Sequence, residues 1–148
     1  MDVVEVIAKA AGFDRRQLRV TPIEAGLTNQ NYRLDVGDRT YFFRRPGAAT
    51  ELLAVDRENE LYNTRAAAEA GVGPKVLRID KVTGGMLLEW LPGRTMSNAS
   101  FRAPGMPARI AEVLRRLHAG PRFRDDFDMF RLSERYLRLV DERSVPIP

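Results

Sequence analysis

From about Leu52 to Ala70 the chain carries a helical pattern, with Leu53, Arg57, Glu60, Leu61, Thr64, Ala67 and Ala68 recurring at helical spacing. β-type segments flank it on both sides. Before it comes Gln17 to Glu24, with Leu18, Val20 and Pro22 on alternate positions, then Asn31 to Val36 and Thr40 to Arg45 around Gly37-Asp38, a hairpin signal. After it come Val76 to Asp80 and Met86 to Leu91, joined through Thr83-Gly84-Gly85. Gly71-Val72-Gly73-Pro74 stops the helix, with glycine beyond its end and then proline. This order predicts an α+β fold: a five-stranded, mainly antiparallel sheet with one long helix inserted after the third strand.

Helices flank that core. Asp2 reads as the N-cap of a helix from Val3 to about Ala11, closed by Gly12. Pro92-Gly93 marks the exit from the sheet. Further helices are predicted from about Ala108 to His118 and from Phe127 to Arg143, with Ser144 to Pro148 linker-like.

A chain of 148 residues, 44% hydrophobic and 30% charged, suits one ordinary globular unit. Without cysteine there is neither a disulfide framework nor a thiolate metal site. No apolar run approaches a membrane span, and Asp2 and Glu5 break the pattern of a signal peptide, so a cytoplasmic location is the default expectation. The net charge of +4 comes almost wholly from arginine, the only lysines being Lys9, Lys75 and Lys81. Those arginines are interleaved with acids, as in Asp56-Arg57-Glu58, where a nucleic-acid surface would gather them in one stripe. Neither nucleic acid nor membrane is expected as a partner, and no signal bears on oligomeric state.

A polyphosphate site needs backbone N–H groups and small polar side chains close by, and a fixed cation held by a carboxylate from another element. The polar loop Gly26 to Gln30 has the first property: Gly26 permits close approach, Thr28 offers a hydroxyl and Asn29 tolerates left-handed backbone. Alone it reads equally as a polar hairpin turn. In Tyr41-Phe42-Phe43-Arg44-Arg45, strand alternation puts Phe42 and Arg44 on one face and Tyr41, Phe43 and Arg45 on the other. Glu60, near the middle of the long helix, is the candidate carboxylate; Glu58, two residues away, points elsewhere. Taken singly, Arg44 and Glu60 also read as ordinary surface charges.

In order, the Gly26-to-Tyr32 run, Phe43-Arg44, Glu60, Gly73-Pro74-Lys75, Glu89-Trp90-Leu91-Pro92-Gly93 and the helix ending Leu117-His118 resemble the choline/ethanolamine kinases. That family groups with the aminoglycoside phosphotransferases and shares the protein-kinase fold. The resemblance runs from about Leu18 to Phe123. It implies a kinase-like N-lobe over residues 1–91, then the hinge exit and first helices of a C-lobe over 92–148. It also implies ATP-dependent phosphorylation of a hydroxyl on choline, ethanolamine or a similar amino alcohol. Gly26, Thr28, Asn29, Gln30 and Asn31 would belong to the phosphate-covering loop. Arg44 would grip the α- and β-phosphates, with Glu60 as its helix partner, and Phe42 would roof the adenine. The backbone of Glu89, Trp90 and Leu91 would pair with the adenine edge.

One departure bears on activity. In this family an Asp in a His-x-Asp-x-x-x-x-Asn loop and a later magnesium-binding Asp run the transfer. The only histidine here, His118, is followed by Ala119-Gly120. No catalytic residue and no metal ligand is therefore assigned, the Mg²⁺ ligands are expected in an absent C-lobe, and this chain alone is expected to be inactive. An aminoglycoside-type phosphotransferase and a non-catalytic nucleotide-binding module remain as alternatives.

Overall fold

The structure is a computed structural model, and it describes residues 2–24, 29–47 and 56–144. Its strands are β1 (Leu18–Ile23), β2 (Asn29–Val36), β3 (Arg39–Pro46), β4 (Val76–Ile79) and β5 (Met86–Glu89). They form one sheet in the order β1-β2-β3-β5-β4, antiparallel at every pairing, as the order of segments predicted.

Helix α1 (Val3–Ala11) has the ends its sequence predicts. Asp2 accepts the Val4 N–H at 3.3 Å, and Gly12, at φ 78°, donates its amide to the Ala8 carbonyl at 2.9 Å. Its apolar face lays Ile7, Ala8, Ala10 and Ala11 against Leu18, Tyr32, Leu34, Tyr41, Phe43 and Leu87 on one side of the sheet. Phe43 is 1% exposed, and taking such a ring out of water contributes about 2–3 kcal/mol. With that face covered by α1, the other is left to Phe42 and Arg44, which the register puts opposite Arg33 and Asn31.

Helix α2 (Arg57–Glu69) begins later than the expected start near Leu52. Asp56 keeps an extended backbone (φ −78°, ψ 117°) while its carboxylate accepts the N–H groups of Glu58 and Asn59 at 2.8 and 3.0 Å. That cap puts the first helical residue at Arg57; Leu52 and Leu53 lie outside the described residues. At the other end Val72 and Gly73 both donate to the Ala67 carbonyl at 3.0 Å, so the predicted stop holds.

Other boundaries moved as well. β2 gains Asn29 and Gln30, because they continue the ladder opposite Pro46 and Arg45. β5 ends at Glu89, so Trp90 and Leu91 leave the sheet. Helix α3 (Asn98–Phe101), held by a Ser97–Ser100 capping box, was not anticipated. Helix α4 (Met106–Ala119) starts two residues early with Pro107 in its first turn, and α5 (Met129–Glu142) starts behind the Asp128 cap. The chain after α4 is tied to α2: Arg124 donates its backbone N–H to Asn63 Oδ1 at 3.0 Å and its guanidinium to Glu58 at 3.1 Å. Neither α4 nor α5 buries a residue. No described helix is long and apolar enough to cross a membrane.

Candidate functional site

A cleft of about 520 Å³ opens on the sheet face that α1 leaves bare. Phe42, Leu88 and Ile23 form its apolar wall, Arg44 lies at its polar side, and the chain from Glu89 to Thr95 forms its rim together with Pro74. Strand pairing builds this wall, since Phe42 stands opposite Leu88 across β3 and β5. Trp90 is backed by the Arg33 guanidinium, 5.2 Å from the ring centroid.

At the polar side, Arg44 Nη1 donates to Glu60 Oε1 at 3.0 Å. The side chains are 31% and 16% exposed, so the pair is partly withdrawn from water and stronger than a surface contact. Arg44 also lies 5.8 Å from the Phe42 ring centroid. Its buried Nε has no hydrogen-bond partner among the described residues. The other Glu60 oxygen accepts from Arg57 Nη1, which donates as well to Asn29 Oδ1 at 3.0 Å. Glu58 turns away to Arg124, as the two-residue step on a helix requires.

An apolar wall beside an anchored guanidinium fits a planar ring carrying an anionic tail. No group of three or more His, Cys, Asp or Glu gathers among the described residues. His118 lines a separate hollow with Leu117 and Phe123, outside the cleft.

Three carboxyls elsewhere sit below the usual carboxylate range. The Asn59 N–H, then that of Glu58, lowers Asp56. The Arg33 hydrogen bond, then that of Thr40, lowers Asp35. The Thr83 hydroxyl lowers Asp80.

The structure brings Phe42, Arg44, Glu89, Trp90 and Leu91 to one cleft, joins Glu60 to Arg44, and links Asn29 to Glu60 through Arg57. Asn31 stands opposite Arg44. Gln30 stands opposite Arg45, on the far face of the sheet, where it accepts from the Tyr32 hydroxyl at 3.4 Å. Glu89 is partly engaged already: its N–H donates to the Lys75 carbonyl at 2.9 Å and its carboxylate accepts the Lys75 N–H at 3.3 Å. Gly26 and Thr28 lie outside the described residues. Sequence reasoning missed Ile23, Pro74, Arg94 and Arg57. Two of these carried a signal: Pro74 lies in the Gly73-Pro74-Lys75 run, and Arg57 is three residues from Glu60 on one helix face.

The family model described as "Phosphotransferase enzyme family" matches residues 19–146. The structure superposes on that of a choline/ethanolamine kinase family protein from Mesorhizobium loti with a TM-score of 0.71 and 34% identity, over 97% of this chain and 47% of that one. Choline kinase LicA from Streptococcus pneumoniae superposes with a TM-score of 0.73 and 23% identity, over 93% and 47%. Protein LicA of Haemophilus influenzae is 28% identical over 121 residues, which are 80% of this chain and 35% of that protein. The chain thus spans less than half the length of each of these proteins.

Proposed function

The chain belongs to the phosphotransferase enzyme family, and from that premise we propose that it carries the nucleotide-binding part of an ATP-dependent kinase acting on the hydroxyl of a small amino alcohol. The observation that carries this reading is the Arg44–Glu60 pair beside the apolar slot of Phe42, Leu88 and Ile23. In this reading Arg44 holds the α- and β-phosphate oxygens through charge-assisted hydrogen bonds, and Glu60 fixes the guanidinium before the ligand arrives. Phe42 and Leu88 cover the adenine. The Glu89 N–H is engaged with Lys75, so the adenine edge is assigned to the Glu89 carbonyl and the backbone of Trp90 and Leu91. Gly26, Thr28, Asn29 and Asn31 cover the phosphates.

Residues 1–91 then form the nucleotide lobe and 92–148 the start of a second lobe. Mg²⁺, when bound, neutralises charge between the phosphates, and its ligands are assigned to neither part of this chain. Choline and ethanolamine are the preferred acceptors, because the superposed Mesorhizobium loti structure, 34% identical to this chain, is of a choline/ethanolamine kinase family protein.

Isothermal calorimetry of the chain with ATP and adenosine tests the nucleotide reading: ATP is expected to bind more tightly than adenosine. No detectable ATP binding would overturn it. Phosphate transfer by the natural gene product to choline or ethanolamine, in preference to an aminoglycoside, tests the acceptor.

A further inference from the structure

Glu60 answers to two arginines. Its Oε1 accepts from Arg44 on β3, and its Oε2 accepts from Arg57 Nη1 in the first turn of its own helix. The same Arg57 nitrogen donates to Asn29 Oδ1 at 3.0 Å, and Asn29 opens β2. Arg57 Nη2 is buried with no hydrogen-bond partner among the described residues. Arg57 itself is the first helical residue because the Asp56 cap sets it there.

From this geometry we infer that Arg57 is a positioning residue for polyphosphate, setting both the Glu60 carboxylate that anchors Arg44 and the Asn29 end of β2. The inference rests on the nucleotide reading above and deepens it. A carboxylate held through one oxygen keeps rotational freedom about its terminal bond, and the arginine it anchors shares that freedom. A second guanidinium on the other oxygen removes it. Two guanidiniums on one carboxylate also leave a net positive charge at this side of the cleft, where phosphates would lie. Arg57 thereby ties α2 to β2 at the residue that also anchors β3, which a simple staple between neighbouring turns would not do.

The test is calorimetric titration of the 148-residue chain with adenosine, AMP, ADP and ATP, in wild type, Arg57→Ala, Arg44→Ala and the double variant. Arg57→Ala is expected to weaken ADP and ATP about five- to twentyfold while leaving adenosine within about twofold. Because Arg57 acts through Glu60 and Arg44, the double variant should bind ATP within about twofold of Arg44→Ala alone. Loss that is equal for adenosine and ATP, or an additive double variant, would mark Arg57 as merely structural and overturn the inference. Where Arg57→Ala fails to fold, Asn29→Ala removes only the strand-side contact and is expected to give a smaller, phosphate-dependent loss; an unchanged ATP affinity there overturns the inference. If Arg44→Ala weakens ATP but neither Arg57→Ala nor Asn29→Ala does, the inference alone falls. If the wild type fails to bind ATP, the nucleotide reading falls and takes the inference with it.

Discussion

Arg44 Nη1 meets Glu60 Oε1 at 3.0 Å across sixteen residues of sequence, joining β3 to α2. Arg45, its neighbour, stands opposite Gln30 on the other face of the sheet. Two adjacent charges therefore differ in what their loss should do. Arg44→Ala removes a charge-assisted contact worth roughly 1.5–3 kcal/mol, about ten- to hundredfold in ATP affinity, while Arg45→Ala stays within about threefold. Glu60→Ala should resemble Arg44→Ala, and the double variant should lose less than the sum. Titration of the four proteins checks this; a dominant Arg45→Ala effect would sink the phosphate assignment.

Trp90 is the chain's only tryptophan and lies on the cleft rim under Arg33. Its fluorescence is expected to change on saturation with ATP or adenosine. Arg33→Ala should shift the emission of the free protein without abolishing the ligand response. A ligand response that is absent while calorimetry shows binding would put the base elsewhere.

Gly85 is buried with no room for a side chain, since a Cβ there would come within 2.6 Å of the Phe43 ring. Phe43 is 1% exposed and locked in the core, so it has little space to yield. Gly85→Ala should therefore destabilise the fold by about 1–3 kcal/mol through overpacking. Denaturant unfolding measures it, and an unchanged midpoint would refute the packing described here.

Asp35, Asp56 and Asp80 are held below their ordinary value of 3.8 in the fold. A lowered carboxylate contributes stability that is present above its unfolded pKa and lost as pH falls through the folded one. The melting temperature should thus vary little between about pH 7 and pH 5 from these groups and drop as pH falls below about 4. Asp56→Asn, which keeps a capping oxygen without the titration, should shrink that acid-side drop. Thermal melts across the range decide it.

Phosphoryl transfer needs carboxylate-held Mg²⁺ and a base beside the acceptor. His118 is followed by Ala119-Gly120, and no catalytic-loop spacing occurs within the 148 residues. The pure chain is expected to transfer no phosphate from ATP to choline, ethanolamine or an aminoglycoside. Turnover above a contaminating-kinase control would contradict this.

Local rules settled much of this protein from its residues alone. The sheet with its inserted helix, the α1 caps at Asp2 and Gly12, and the shared face of Phe42 and Arg44 follow from periodicity, capping and strand alternation, which act over a few residues. The Arg44–Glu60 pairing was legible only because the order of motifs resembled a family; spacing by itself left both as candidate surface charges. Other features needed the folded chain. Gln30 reads as part of a loop until its pairing with Arg45 draws it into β2 and turns it from the cleft. Glu89 reads as a free hinge until Lys75 takes its N–H. Arg57 looks like one more arginine until Asn29, twenty-eight residues earlier, comes within 3.0 Å. Each depends on which distant segment arrives beside it, and that is decided by strand pairing and helix packing across the whole chain, where no short stretch of sequence carries the information.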